Sequence, residues 1–171
     1  MDTSNVTIND DETYDGHNVL YLIPVRILAA MKSEPFNVDY NINCHNLPTS
    51  WRLGITYEQK PETGNVSCFV TLSRTDVGNG NLNVFVLVSY VDDNGRFVRY
   101  PKLIGSGQVL AGGKVQGSVE ESRYPGYRSY IYSLGLVLRV SMFVRNCHFG
   151  MKFHDKAYSS TDAKETHHSK I

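Results

Sequence analysis

The stretch Leu134-Gly135-Leu136-Val137-Leu138-Arg139-Val140-Ser141-Met142-Phe143-Val144-Arg145 decides the class of fold. Apolar residues recur at every second position, and the positions between them carry Arg139, Ser141 and Arg145, with Val137 and Phe143 as apolar exceptions. Side chains of a β-strand point alternately to the two faces of a sheet. This period of two therefore predicts a long strand with one face in a core.

Further strands are predicted by the same alternation, which recurs through most of the chain. The predicted segments begin at Phe36, Trp51 and Val66 or span Leu20–Met31, Leu82–Val91, Phe97–Ile104 and Lys114–Glu120. Leu20–Met31 and Leu82–Val91 are apolar on both faces. They are either central strands covered on both sides or strands whose outer face has a functional role. Leu22–Met31 also allows a helix, but Pro24 and the β-branched neighbours favour a strand.

Turn residues separate these segments. Gly78-Asn79-Gly80-Asn81 and Asp92-Asp93-Asn94-Gly95 predict hairpins, because Asn and Gly adopt positive φ at little cost. About eight strands at this spacing predict an all-β fold, an antiparallel β-sandwich.

One domain is the expected organisation for 171 residues, of which 41% are apolar and 20% charged. Residues 1–18 are predicted to be an acidic flexible leader, since the first 16 hold several acids and no Lys or Arg. The sandwich is predicted over residues 19–153, followed by a polar flexible tail at 154–171.

Charge and composition weigh against several classes of function. The chain has 17 basic and 17 acidic residues, whereas nucleic-acid binders normally have a basic excess. It has no apolar run of about 18 residues, so no membrane association is expected. Three widely spaced cysteines do not make a disulfide framework, and we expect a reducing compartment, cytoplasm or nucleus.

The sequence contains neither a phosphate-binding loop nor a nucleophile elbow. Cys147-His148 with His154, together with Cys44-His45, can be assembled into a metal site on paper, but the spacings match no structural zinc pattern. Cys44 lies on the apolar face of its predicted strand and is interpreted as a small buried apolar residue, as is Cys68. The sequence predicts no metal, no cofactor and no catalysis, with an enzyme using Cys147 and His148 as a remote alternative.

Two features indicate a binding surface. Phe69 lies between Ser67 and Thr71 on a predicted polar strand face, and an exposed aromatic there favours binding. The second feature is a tyrosine cluster around Pro125-Gly126, a residue type that protein interfaces favour; it contains Tyr124, Tyr127, Tyr130 and Tyr132. This cluster is either a contact surface or the cap of one end of the sandwich.

The order of four stretches resembles the TRAF-like β-sandwich superfamily, which includes the MATH domains and the substrate-binding domain of the seven-in-absentia ubiquitin ligases. Trp51-Arg52-Leu53-Gly54-Ile55 is similar to the tryptophan strand of those domains, and Asn65–Leu72 to the strand that follows it. Val84–Val91 with its Asn-Gly turn is similar to the next long strand, and Leu134–Val144 to the closing strand.

The resemblance implies a platform that binds an extended peptide of a partner protein at a sheet edge or groove. It also implies an adaptor or substrate-recognition role in the ubiquitin pathway. Phe69 falls where MATH domains place a groove tyrosine, and Gly112, Gly113, Lys114 and Val115 fall where those domains place groove aromatics. We therefore expect these residues on the peptide edge. Ala157–Thr161 is similar to the peptide that MATH domains recognise, so a homo-oligomer joined by the tail is a further expectation.

A different class of function remains open at this point. A jelly-roll or lectin-like sandwich that binds carbohydrate, or that assembles into a structure such as a viral shell, fits the same strand pattern. The lone Trp51 on an apolar strand face and the absence of an acidic calcium-binding cluster in the sequence weigh against the carbohydrate reading.

Overall fold

The computed structural model describes residues 6–30, 34–59, 66–121 and 135–150. Within them the chain forms nine strands and one short helix, in the order β1 (Thr7–Thr13), β2 (Gly16–Pro24), α1 (Val25–Ala30), β3 (Phe36–Ile42), β4 (Thr49–Gln59), β5 (Val66–Arg74), β6 (Leu82–Val91), β7 (Phe97–Val109), β8 (Lys114–Glu121) and β9 (Val137–Arg145).

The strands make two sheets, and every pairing is antiparallel. The five-stranded sheet has the order β1-β2-β9-β6-β7, and the four-stranded sheet has the order β3-β4-β5-β8. The inward positions of both sheets share one hydrophobic core. The prediction of an all-β antiparallel sandwich is confirmed, with nine strands rather than eight among the described residues.

The core contains the residues that the period of two placed inside. Leu138, Val140, Met142 and Val144 of β9 are all buried, as the alternation predicts. Trp51 is fully buried, and its Nε1 donates a 2.8 Å hydrogen bond to Thr49 Oγ1. A buried indole N–H normally needs such a partner. Within the described ranges, no helix is long and apolar enough to cross a membrane.

The acidic start of the chain differs from the prediction of a flexible leader. Residues 7–13 form β1, an edge strand that pairs with β2 from Thr7 opposite Leu22 to Thr13 opposite Gly16. An edge strand has one side open to water, so it tolerates charged side chains that a central strand would not. Asp10 is the exception, because its carboxylate points toward His17 and Tyr40.

The segment after Pro24 is a helix, which corrects the prediction of one strand over Leu20–Met31. β2 ends at Pro24, and α1 follows immediately with Val25 and Leu28 buried. Burial of these two side chains at the end of the sandwich outweighs the weak strand preference of the β-branched residues. The backbone N–H of Val25 also donates to the carbonyl of Leu136, which fixes the start of the helix.

Of the two predicted hairpins, one is confirmed and one is wrong. Asp92–Gly95 joins β6 to β7 in one sheet, with Gly95 at φ +75° and its N–H donating to the Asp92 carbonyl. Gly78–Asn81 instead carries the chain from β5 in one sheet to β6 in the other. The turn residues therefore predicted the position of the connection correctly, but they did not predict which strands it joins.

The two sheets also approach each other at one side, where β7 lies against β8. A Cβ on Gly117 would overlap the carbonyl oxygen of Ile104, and a Cβ on Gly105 would overlap the side chain of Val115. Glycine at these two positions is what permits the close approach. Along this side the outward edge of β8 is therefore covered by β7.

Candidate functional site

Phe69 lies on the outer face of the four-stranded sheet, as the sequence predicts. Its side chain is 41% exposed, and its cross-strand neighbours are Thr56 on β4 and Ser118 on β8. Its neighbours along β5 on the same face are Ser67 and Thr71. The aromatic ring is therefore isolated on a polar surface.

The predicted peptide edge at residues 112–115 begins as a tight turn. Gly112 has φ +75°, and its N–H donates to the Arg74 carbonyl, while the Gly113 carbonyl accepts from the Arg74 N–H. Lys114 is exposed, but Val115 is buried in the core. Because β7 covers β8 from Val115 onward, a peptide strand cannot add there without displacing β7. The binding role of these four residues stays a prediction.

The predicted tyrosine surface of Tyr124, Tyr127 and Tyr130 lies outside the described residues, as do Tyr132, His154 and the tail motif at 157–161.

A larger apolar surface lies on the outer face of the five-stranded sheet. Its exposed or half-buried apolar side chains, here called the aromatic face, are Phe85, Leu87, Phe97, Tyr100, Leu103 and Phe143. Cross-strand pairing places Phe85 opposite Phe143 and Leu87 opposite Leu103. These residues explain why Leu82–Val91 is apolar on both sides: one side fills the core, and the other carries the exposed Phe85 and the half-buried Leu87.

Arginines stack on this surface. The guanidinium of Arg139 lies 5.8 Å from the ring centroid of Phe97, and that of Arg145 lies 5.5 Å from Phe143. The Phe97 and Tyr100 rings are 5.7 Å apart. A guanidinium within about 6 Å of a ring is attracted to its face. The aromatic face is thus a cluster of exposed rings edged by positive charge.

A second cluster lies at one end of the sandwich and contains only buried residues: His17, Cys44, Cys147 and His148. Both sulfurs and one nitrogen of each ring lie within 4.8 Å of one another. His148 Nδ1 is 3.2 Å from the Cys44 sulfur and 3.4 Å from the Cys147 sulfur. Cys147 is buried, and this Cys/His cluster joins residues that lie far apart in sequence.

Local backbone features bring these groups together. β9 ends at Arg145, and Asn146 then adopts φ 69°, which turns Cys147 and His148 inward. Asn tolerates this left-handed conformation better than most residues. The Asn146 N–H donates to the Asp15 carbonyl, so the turn is attached to the β1–β2 connection.

The two thiols have different acidities. Burial acts to raise the pKa of Cys44, but hydrogen bonds from the backbone of Leu47 and Asn46 and from the His148 side chain outweigh it and lower that pKa. Burial, together with the neighbouring Cys44, raises the pKa of Cys147. Cys68 is buried elsewhere in the core, as predicted, and burial raises its pKa to about 12.

Sequence reasoning assigned a function to neither cluster. It assembled Cys44-His45 and Cys147-His148 with His154 on paper and set that group aside, because its spacings match no structural zinc pattern. His17 was assigned to the leader, and Cys44 was interpreted by its strand face alone. For the aromatic face the sequence offered one signal, since Leu82–Val91 is apolar on both faces. An outer face with a functional role was one of the two interpretations of that pattern. For the Cys/His cluster, the residue types were noticed but their spacing gave no zinc pattern, because strand pairing brings the residues together.

No family model matches the chain, and no curated protein matches it by sequence. Three solved structures have weak similarity. Xylanase 10B modules of Clostridium thermocellum complexed with xylohexaose have 12% identity and a TM-score of 0.27, over 82% of this chain and 27% of that chain. The enzymatically active domain of bacteriophage CBA120 tailspike protein 4 has 12% identity and a TM-score of 0.27, over 87% of this chain and 18% of that one.

The third structure is the Avr2 effector protein of Fusarium oxysporum, with 7% identity and a TM-score of 0.24, over 70% of this chain and 97% of that chain. The chain thus spans about a quarter or less of the length of the first two. Similarities this weak carry no argument about fold or function, and the TRAF-like resemblance stays a prediction.

Proposed function

We propose that the chain is a non-catalytic protein-interaction module that holds a partner protein against the aromatic face of its five-stranded sheet. The observation that carries the proposal is the clustering of exposed apolar side chains on adjacent strands. Phe85 is 43% exposed, Phe97 is 41% exposed, and Tyr100 and Leu103 are more exposed still.

The composition of this face favours a protein partner. Aromatic residues and Arg are enriched at the centres of protein interfaces, where a few of them supply most of the binding energy. Contiguous exposed apolar surface of this kind normally marks an interaction site. The guanidinium groups of Arg139 and Arg145 add positive charge, so we expect a partner segment that combines apolar with acidic side chains.

This proposal moves the binding surface away from the edge that the sequence predicts. Phe69 stands alone on a polar face, and β7 covers much of β8 beside it. A partner segment lying across β6, β7 and β9 contacts several rings without displacing any strand. An adaptor role in the ubiquitin pathway remains part of the proposal through the TRAF-like resemblance.

A pair of matched variants tests the surface. Phe85→Ala and Phe69→Ala each remove one ring of nearly equal exposure, 43% and 41%, from the outer side of a sheet. Proteins captured from lysate by the wild-type chain are identified by mass spectrometry, and the affinity of each purified partner is measured for all three chains. If Phe85 is a hot spot worth about 2 kcal/mol, Phe85→Ala weakens binding about 30-fold. Phe69→Ala should bind normally.

Other outcomes would redirect the proposal. A partner that is lost with Phe69→Ala and kept with Phe85→Ala would return the site to the predicted edge. A ubiquitin-ligase subunit among the Phe85-dependent partners would support the pathway. Binding on a sugar array, or large shells seen by mass measurement, with no protein partner would favour the carbohydrate or assembly function instead.

A further inference from the structure

We propose that His17, Cys44, Cys147 and His148 bind one zinc ion, which joins the two sheets at this end of the sandwich. The four residues are buried, and their donor atoms lie within 4.8 Å of one another. This site is separate from the aromatic face, so the proposal does not depend on the function proposed above.

The donor set selects the metal. Two sulfurs and two imidazole nitrogens in a tetrahedral arrangement are typical of structural zinc, whereas magnesium and calcium require oxygen ligands. Four protein ligands also fill the tetrahedron and leave no position for water or substrate. The site is therefore structural rather than catalytic.

His148 is held in the tautomer that a metal ligand requires. Its Nε2 lies 2.8 Å from the carbonyl oxygen of Thr13, which accepts hydrogen bonds only. Nε2 therefore carries the proton, and in the neutral ring the lone pair is on Nδ1. That nitrogen faces both thiols, at 3.2 Å from Cys44 and 3.4 Å from Cys147.

His17 provides the independent observation that a ligand is needed. Its Nδ1 is 2.9 Å from an Asp10 carboxylate oxygen, and its side chain is only 7% exposed. Its Nε2 is buried and has no hydrogen-bond partner within the described part of the chain. A buried polar atom without a partner is costly. A carboxylate on the far nitrogen of a metal-binding histidine is a usual arrangement around zinc, and Tyr40 donates in turn to the second oxygen of Asp10.

The geometry is close to that of a loaded site. Zinc lies about 2.3 Å from sulfur and about 2.0 Å from nitrogen, so donors at tetrahedral angles are about 3.3–3.8 Å apart. The two sulfur–nitrogen distances that His148 makes, 3.2 and 3.4 Å, are near this range. The remaining donor separations do not exceed 4.8 Å, so a contraction of about 1 Å or less would complete the tetrahedron.

A competing donor group shares His148 and is less suitable. Glu12 lies 3.5 Å from His45 Nδ1 and 3.6 Å from His148 Nε2. Glu12 and His45 are both exposed, and this group contains no thiol. Using it would also remove the hydrogen bond between His148 Nε2 and Thr13. The Cys/His cluster is therefore the stronger site.

Zinc here would connect elements of both sheets. His17 is on β2, and Cys147 and His148 follow β9, so these three belong to the five-stranded sheet. Cys44 follows β3 of the four-stranded sheet. The ion would thus act as a cross-link between sheets, and its second shell would come from Asp10 and Thr13 of the acidic segment that forms β1.

The test measures metal directly on the full chain, reduced and purified without a metal-affinity step. We expect about one zinc per chain by elemental analysis. After zinc is removed with a chelator, one equivalent of Co²⁺ should give the intense visible bands of tetrahedral cobalt and a near-ultraviolet thiolate-to-cobalt band. Zinc should abolish both, and zinc should raise the melting temperature of the metal-free chain.

Matched cysteine variants locate the site. Cys44→Ala should lose the zinc and the thiolate-to-cobalt band, while Cys68→Ala removes a buried thiol outside the cluster and should keep both. If Cys44→Ala does not fold, Asp10→Asn provides a milder test, because loss of a second-shell partner lowers metal affinity about 10- to 100-fold. His45→Ala should bind cobalt with an unchanged spectrum.

Three results would overturn the proposal. The first is a folded, reduced wild-type chain that contains no zinc and gives no tetrahedral cobalt spectrum. The second is a cobalt spectrum without a thiolate band that disappears in His45→Ala, which would place the metal at Glu12, His45 and His148. The third is a native chain with only one titratable thiol after denaturation, which would show a Cys44–Cys147 disulfide.

Discussion

Arg74 is a buried arginine that holds the connection between β5 and β6, and its loss should cost more stability than the loss of an exposed ion pair. Its Nε and Nη2 donate to the two carboxylate oxygens of Asp76 at 2.9 and 2.8 Å, and Nη1 donates to the carbonyls of Gly80 and Val109. The Arg74 side chain is 0% exposed and that of Asp76 is 14% exposed.

The size of the effect follows from this burial. Arg74→Met keeps much of the apolar stem but leaves the Asp76 carboxylate and two carbonyls without their cation. Removing one partner of a buried ion pair costs about 3–5 kcal/mol. With a urea m-value of about 2 kcal/mol/M, the unfolding midpoint should fall by about 1.5–2.5 M.

Fluorescence offers a direct assay, because Trp51 is the single tryptophan and is fully buried. Arg52→Met is the matched control. Arg52 makes the same two-bond contact with Asp39, at 2.7 and 2.9 Å, but the Arg52 and Asp39 side chains are 55% and 64% exposed. Exposed pairs contribute little, so the midpoint of Arg52→Met should be unchanged. A shift below about 0.5 M for Arg74→Met, or equal shifts for both variants, would refute the argument from burial.

Two further predictions concern the pH dependence of stability and the packing of β7 against β8. Burial acts to raise the pKa of Asp76, but hydrogen bonds from Arg74 and from the backbone of Ser50 and Gly78 outweigh it and lower that pKa. The carboxylate therefore stabilises the fold above its unfolded pKa of about 4 and loses this effect as pH falls through the lower folded value. Between pH 6 and pH 2 the urea midpoint should fall less steeply for Asp76→Asn than for the wild-type chain. Parallel curves for the two chains would contradict the stabilising role of the Asp76 carboxylate. Gly117→Ala should destabilise by about 1–3 kcal/mol, because its Cβ would overlap the Ile104 carbonyl. Gly54→Ala is the control, since the nearest atom to its Cβ would be the end of the Asn37 side chain, at 3.1 Å, rather than backbone. Equal losses of stability in urea for the two variants would rule out the close approach of β7 and β8.

Much of the fold could be predicted from the sequence, because burial of one sheet face imposes a period of two that is visible locally. The inward positions of β9 are apolar without interruption, and every core residue predicted on it between Leu138 and Val144 is buried. The turn at Asp92–Gly95 was equally predictable, since its positive φ requires a specific residue type.

The errors lie where tertiary contacts override local signals. The acidic segment of β1 looks solvated, but its backbone pairs with β2 and its Asp10 side chain bonds to His17 and Tyr40. The helix α1 has only six residues, which is too short to show a 3.6-residue period. In both cases the decisive partner is distant in sequence.

The same reasoning explains why one candidate site could be predicted from the sequence better than the other. The aromatic face depends largely on one strand being apolar on its outer side, and this property is visible within the segment Leu82–Val91 itself. The Cys/His cluster depends on three separate segments meeting, and on Asp10 and Thr13 orienting two rings. A zinc motif is recognisable in sequence when its ligands are carried by one or two short turns. Here β2, the loop after β3 and the turn after β9 each supply part of the donor set, so strand pairing, and not spacing, creates the site.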